Sequence, residues 1–534
     1  MSNLNRAQQL LQKLYASGVT DFVVCPGGRN APFVEALDHC TSKDIRVHLG
    51  FEERSAAFFA LGLSLKKLKP VAVFTTSGTA FVETSSALLE AHYSGVPLIV
   101  VSADRPEIMW GSGSPQTMIQ KDFLKSHLGA SVDESYSPLD VSYPLHINCC
   151  FDEPLLDHVL EPWSLSHRDS LNIDFERQLN PYKYKHLQFS HDAIQTLTAL
   201  DLKSTNALKI LFLVTGLNIN FKANLKKLFS NINADFYFEA TGELRGLKSE
   251  ITSKKLNHLD VMNSYDLVVR VGGIPTHRIW RDFELKNFKK ILHFSQLPLP
   301  GMSFGSVFKL NDLYSFVDTL KTIKLVSVYN SGLNSSDKKI ADTMVEQPVL
   351  SEEELFIKSL KKLSRKLELK VNDSQSLSHE TSTECAFYIG NSLPIRHWDA
   401  DKSETFNEVY ASRGLNGIDG QLSTALGLAM NSESQKTIAV LGDLTTMYDL
   451  AAPWYWQKNK EKIDFTLVII NNKGGQIFSK MFKSSNFLNS HNFQFTSWAE
   501  MWGLTYLKVN SVNEFEVKLK SLKTWPQIIE CEFK

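Results

Sequence analysis

The chain has 534 residues, 43% hydrophobic and 22% charged, with a formal net charge of −1, enough for about three or four domain-sized units with large cores. That balance leaves no electrostatic footprint for nucleic acid, and six cysteines without a C-x-x-C pair suggest neither a zinc site nor a disulfide framework. No apolar run approaches the roughly 18 residues of a membrane span, and the N-terminus lacks the apolar core of a signal peptide, so a cytoplasmic protein is expected.

Asn5–Ala16 has helical periodicity, with Gly18 as its stop. Phe22–Cys25 reads as a strand ending in Pro26-Gly27-Gly28-Arg29. His48-Leu49-Gly50 closes another, and Glu52-Glu53-Arg54 opens a helix dense in Ala, Gly and Phe. Acids in a first turn complement the helix dipole, which suffices to explain Glu52. Close packing behind Glu53 would desolvate it and strengthen its hold on a proton. Val71–Thr75 is predicted as a strand ending in Thr76-Ser77-Gly78, and Pro97–Ser102 as one ending in Ala103-Asp104-Arg105-Pro106. Small and polar residues at successive strand ends predict a parallel sheet with functional loops along one edge. This first α/β unit covers residues 1–190.

Residues 191–325 repeat the style, with strands expected at Ile210–Thr215, Phe236–Phe238, Leu267–Val271 and Ile291–Phe294. Residues 326–350, rich in Ser, Asn, Asp and Lys, read as a linker. Ser351 is placed to cap a charged helix, and Lys370–Glu384 is predicted as a polar loop. Residues 351–534 form the third unit. There is no G-x-x-x-x-G-K-[ST], G-x-G-x-x-G or H-E-x-x-H, so the common NTPase, dinucleotide and zinc-protease signals are missing. Thr437–Leu441 and Phe465–Ile470 read as buried parallel strands, with a helix around Leu450–Lys458 between them. The first ends in Gly442-Asp443-Leu444 and the second in Asn471-Asn472-Lys473-Gly474-Gly475. A carboxylate, an amide oxygen and a backbone carbonyl are a partial ligand set for a hard octahedral cation, completed by water and phosphate. The glycines permit close approach of a phosphate, although Gly-Asp alone is also ordinary turn chemistry.

Glu53-Arg54-Ser55-Ala56-Ala57-Phe58, Ser102-Ala103-Asp104-Arg105-Pro106, Gly390-Asn391-Ser392, Arg413-Gly414-x-x-Gly417-Ile418-Asp419-Gly420, Gly442-Asp443-Leu444 and Asn471-Asn472-x-Gly474-Gly475-x-Ile477-Phe478 occur in one order. Together they resemble the thiamin-diphosphate-dependent 2-succinyl-5-enolpyruvyl-6-hydroxy-3-cyclohexene-1-carboxylate synthases of menaquinone biosynthesis, from near residue 5 to the end. Leu444 after Gly-Asp is typical of that family. The resemblance implies three parallel-sheet α/β domains: pyrimidine-binding, middle and diphosphate-binding. It implies that Asp443, Asn472 and the Gly474 carbonyl hold Mg²⁺ or Mn²⁺ against the cofactor diphosphate. Glu53 would protonate the aminopyrimidine ring, and Ile418 would hold the cofactor bent. Ser77, Gly442, Leu444, Gly475, Gln476 and Ile477 would complete the cofactor contacts. Absent the resemblance, Ile418 reads as an ordinary core residue.

The implied reaction decarboxylates 2-oxoglutarate, with the cofactor as electron sink, and adds the four-carbon fragment to isochorismate. Both substrates carry two carboxylates, which suit the planar fork of arginine. The family's positions fall on Arg29, Arg105, Arg278, Arg396 and Arg413, with Gln116 and Ser392 as neutral partners and Ile477, Phe478 and Met481 as an apolar wall. Arg29, Arg396, Arg413, Ser392 and Gln116 join Glu53 as implied catalytic residues. Two departures stand out. Cys25 and Gly28 stand where the family usually has Ser, and His277 stands where it has Lys. His277 is charged only part of the time near neutrality, so another acceptor is an open reading. A catalytically silent protein on this fold is a further one, but it predicts erosion at Glu53, Asp443 or Asn472, and all three are present. The resemblance also implies a homodimer or homotetramer with active sites between chains.

Overall fold

The computed structural model describes residues 2–137, 143–166, 208–217, 234–242, 258–310, 350–374, 385–403, 408–431, 436–522 and 524–532, with scattered residues between these stretches. They build three sheets. The first contains β1 (Asp21–Val24), β2 (Arg46–Leu49), β3 (Val71–Thr75), β4 (Leu98–Asp104) and β5 (Leu145–Cys150), in the order β2-β1-β3-β4-β5. The second contains β6 (Ile210–Val214), β7 (Asp235–Phe238), β8 (Leu267–Val271), β9 (Ile291–Ser295) and β10 (Val307–Lys309), in the order β10-β9-β8-β6-β7. The third contains β11 (Ala386–Ile389), β12 (Val409–Tyr410), β13 (Thr437–Gly442), β14 (Phe465–Asn471), β15 (Tyr506–Val509) and β16 (Ile528–Glu532), in the order β12-β11-β13-β14-β16-β15. Neighbouring strands pair in parallel in all three. Parallel sheets are covered on both faces, which is why β3, β4, β6 and β14 are continuous apolar runs and are buried throughout. The expected α/β architecture of three parallel sheets is therefore present.

Several elements differ from expectation. The helix expected to end before Lys370 runs from Glu352 to Ser374. Lys and Glu are good helix formers, so polarity alone does not mark a loop there; residues 375–384, and 326–349 of the expected linker, lie outside the described residues. Ser351 does cap this helix: its Oγ accepts from Glu354 N at 3.2 Å, and Glu354 Oε2 accepts from Ser351 N at 2.8 Å, a reciprocal box. Between β13 and β14 stand two short helices, Asp443–Tyr448 and Pro453–Lys458, instead of one around Leu450–Lys458. Gly442-Asp443 is thus a strand end and a helix start at once.

The first and third units share one hydrophobic core. Its centre is the crossing of helix Glu53–Leu65 with helix Gln421–Met430. A Cβ on Gly62 would fall inside the carbonyl oxygen of Thr424, and one on Gly427 inside that of Phe59. The two glycines let the backbones touch. Phe59 also stacks on Tyr455, with centroids 4.0 Å apart. Gly62→Ala is expected to destabilise the fold by about 3 kcal/mol, read as a lower urea midpoint. An unchanged midpoint would show that these helices separate freely.

Candidate active site

β13 and β14 are neighbours, with Gly442 opposite Ile470, so their two terminal turns meet. Asp443 is 2% exposed. Its Oδ1 accepts from Leu444 N at 2.6 Å and its Oδ2 from Gly474 N at 3.0 Å. Burial raises the Asp443 pKa; the Leu444 and Gly474 amides and His491, whose Nε2 lies 3.1 Å from Oδ2, work against that rise. Lys473 and Gly474 have φ of +63° and +136°. A Cβ on Gly474 would collide with the Leu488 carbonyl, so the turn requires glycine there.

Asn472 Nδ2 donates to Glu353 Oε1 at 2.9 Å, and Glu353 Oε2 lies 3.3 Å from His397 Nδ1. Engaging the amide nitrogen turns the Asn472 carbonyl oxygen away from Glu353. The resulting set of one carboxylate, one amide oxygen and one backbone carbonyl is made of hard oxygen donors and fits a divalent cation carrying phosphate. Sequence reasoning missed Glu353 and His491. Glu353 lies 119 positions before Asn472, and no spacing pattern links them; an acid in a capped first helical turn has a sufficient local explanation.

At the start of helix Glu53–Leu65, the two acids divide their work. Glu52 is the cap: its carboxylate accepts from Arg54 N and Ser55 N, both at 3.0 Å. Glu53 is left half-buried, and among the described residues no other residue forms a hydrogen bond or ion pair with its carboxylate. Burial raises its pKa; its own backbone N–H works against that rise, and the neighbouring charges of Glu52 and Glu83 add to it. The desolvation expected from the small-residue helix is present. Among the described residues, no hydrogen bond or ion pair joins Glu53 to Asp443 or Asn472.

The expected substrate residues fall into three groups. Arg105 Nη1 donates to Ser77 Oγ at 3.0 Å and to Gln116 O at 3.1 Å, which brings two of them together with Ser77, an expected cofactor contact, at the ends of β3 and β4. Gln120, a residue without a sequence signal, fixes this corner: its Oε1 accepts from Gly78 N at 3.0 Å, and its Nε2 reaches Asn148 Oδ1 at 2.8 Å. Arg29 is occupied locally by Phe151 O at 3.1 Å and Glu153 at 3.2 Å. A Cβ on Gly28 would meet open space.

The second group is Ser392, Arg396 and Arg413. Ser392 sits at φ +73°, and Arg396 Nη1 donates to its carbonyl. Arg413 Nη1 donates to Asn391 Oδ1 at 2.7 Å, while its buried Nε has no acceptor among the described residues. The third is His277 with Arg278. Buried Glu239 accepts from Thr276 N at 2.6 Å and His277 N at 2.9 Å, so it shapes this turn. Burial lowers the His277 pKa, while the Arg278 side chain is 77% exposed beside Asp282. Ile418 and Ile477 are partly buried, and Phe478 and Met481 are 37% and 54% exposed. Among the described residues, no hydrogen bond or ion pair links Arg29 or Arg105 to the Ser392 group.

Two family models match the units that carry these turns. One, described as the N-terminal TPP-binding domain of thiamine pyrophosphate enzymes, matches residues 4–126, and its C-terminal counterpart matches residues 392–531. Fold and site thus define a thiamin-diphosphate-dependent enzyme. The chain is 35% identical to a 2-succinyl-5-enolpyruvyl-6-hydroxy-3-cyclohexene-1-carboxylate synthase of Bdellovibrio bacteriovorus, over 96% of this chain and 93% of that one. A synthase of the same name from Akkermansia muciniphila is 30% identical over 97% and 93%, and one from Lysinibacillus sphaericus is 26% identical over 98% and 95%. The chain belongs to the 2-succinyl-5-enolpyruvyl-6-hydroxy-3-cyclohexene-1-carboxylate synthase family.

Proposed function

We propose that this enzyme decarboxylates 2-oxoglutarate and joins the remaining four carbons to isochorismate, a step of menaquinone biosynthesis. The observation that carries this reading is membership of the family across nearly the whole chain; the Ser392–Arg396–Arg413 group supports it by setting two guanidinium groups beside the Asn391 turn, a pattern suited to a carboxylate. Bound thiamin diphosphate supplies the nucleophilic carbon and the electron sink for loss of carbon dioxide.

Asp443 Oδ, Asn472 Oδ1 and the Gly474 carbonyl hold Mg²⁺, or Mn²⁺ in its place. Glu353 and His491 steady the first two. Ser77, Gly442, Leu444, Gly475, Gln476 and Ile477 frame the cofactor. Glu53 holds and shares a proton at its carboxyl. Ile418, Ile477, Phe478 and Met481 exclude water. Arg29, Arg105, Arg278, Arg396 and Arg413, with Ser392, Gln116 and the Gly28 amide, orient the substrate carboxylates. The working form is a homodimer or homotetramer with active sites between chains, as the family resemblance implies. Among the described residues no helix is long and apolar enough to cross a membrane, in keeping with a cytoplasmic enzyme.

One observation favours a second reading, a related carboligase with another acceptor. Burial keeps His277 neutral to lower pH, where the family's lysine would be charged. The test incubates the protein with thiamin diphosphate, Mg²⁺ and 2-oxoglutarate, with and without isochorismate. Rapid loss of 2-oxoglutarate only when isochorismate is present is expected; a rate indifferent to isochorismate would sink the first reading.

A further inference from the structure

Among the described residues, five nitrogen atoms lie buried without a hydrogen-bond partner at one place in the second unit: Nε and Nη2 of Arg270, Nε1 of Trp280, and both ring nitrogens of His293. Arg270 and His293 are 0% exposed and Trp280 is 4% exposed. Arg270 on β8 and His293 on β9 are register partners, so their side chains leave the same face of the sheet. Trp280, from helix Ile279–Leu285, covers both. The guanidinium carbon of Arg270 lies 5.7 Å from the indole centroid, and the Trp280 and His293 rings are 5.4 Å apart.

Among the described residues, the surroundings offer no counter-charge. Leu211, Leu213, Val268, Ile279 and Ile291 fill the same layer. Arg270 makes one long hydrogen bond, 3.4 Å to Pro300 O, and among the described residues no carboxylate pairs with it. Burial alone acts on its pKa, lowering it to about 9, still far above neutrality, so the guanidinium stays charged. Burial and the Arg270 charge hold His293 neutral, which leaves it one N–H to donate. A buried charge is sustained by pairing, and clustered unsatisfied donors are a known sign of an ion.

We propose that Arg270, Trp280 and His293 bind a small inorganic anion, of the size and charge of chloride, inside the second unit. Each of the three side chains can donate, one carries a full positive charge, and all three are buried; His293 Nε2 packs against Gly305, which leaves Nδ1 as the ring nitrogen that donates. The helix that supplies Trp280 begins directly after His277-Arg278, so the anion braces the segment that carries those two residues.

The full-length protein is melted in sodium chloride, bromide, phosphate and gluconate at equal ionic strength, beside the variant Arg270→Met. Chloride and bromide are expected to raise the Tm of the parent by several degrees over gluconate. Arg270→Met should show no such difference, and crystals soaked in bromide should give an anomalous peak beside Arg270. A response to phosphate without one to halide overturns the chloride-sized assignment. A halide effect that survives in Arg270→Met also overturns the proposal. A bromide peak without any effect on Tm marks an adventitious ion only and does the same, as does equal melting in all four salts. Should the variant not fold, the bromide peak together with the salt response of the parent decides.

Discussion

Replacing Glu53 with Gln is expected to lower turnover about 10²- to 10⁴-fold, the range for loss of a positioned proton-transfer group, while thiamin diphosphate still binds. Glu53 stands apart from the helix cap. Glu52 satisfies the helix N-terminus, so Glu53 has no capping duty to lose. Gln keeps the shape and removes the transferable proton. Loss of fold would not mimic this result, because the sign of the pKa shift runs the other way. A carboxyl whose folded pKa is raised contributes stability below the ordinary Glu pKa, and that contribution is lost as pH rises through the raised value. At pH 8 the Gln variant should therefore be no less stable than the parent. Stopped-flow turnover with calorimetric cofactor binding checks both halves; an unchanged rate removes Glu53 from the chemistry.

Asp443→Ala is expected to weaken Mg²⁺-dependent cofactor binding by more than about 100-fold, beyond the 10- to 100-fold typical of residues that only support a ligand. Two losses add. The cation forfeits its only anionic protein donor in the proposed set. The buried Gly474 N–H also loses its acceptor at 3.0 Å, a penalty of about 1–3 kcal/mol that loosens the turn presenting the Gly474 carbonyl. Calorimetry of thiamin diphosphate binding across a Mg²⁺ series measures it. Affinity within a few-fold of the parent would move the cation elsewhere.

Much of this was legible in the sequence because parallel sheets write long apolar runs and end them in small polar turns. β3, β13 and β14 could be placed on that pattern, and Gly474 on the demands of its backbone. What escaped was short, marginal or distant. β12 has two residues and β10 three, too few for periodicity to register. Glu353, His491, Gln120 and Glu239 act through the contacts named above, which cross 28 to 119 positions of sequence, and each has a bland local explanation. Ile418, Phe478 and Met481 were ambiguous for the opposite reason: an apolar side chain looks the same in sequence whether it fills a core or lines a cleft.

The touching backbones at Gly62 and Gly427 have a consequence for communication. In the paired arrangement proposed above, Glu53 and Asp443 of one chain serve different catalytic centres. They are nonetheless tied together through two helices that meet without intervening side chains at the crossing. Such a contact is stiff, so a tilt of the Glu53 helix at one centre would be passed through the Gln421 helix towards the metal-binding turn of the other. Two centres built this way would load and empty as correspondents, each registering the occupancy of its twin.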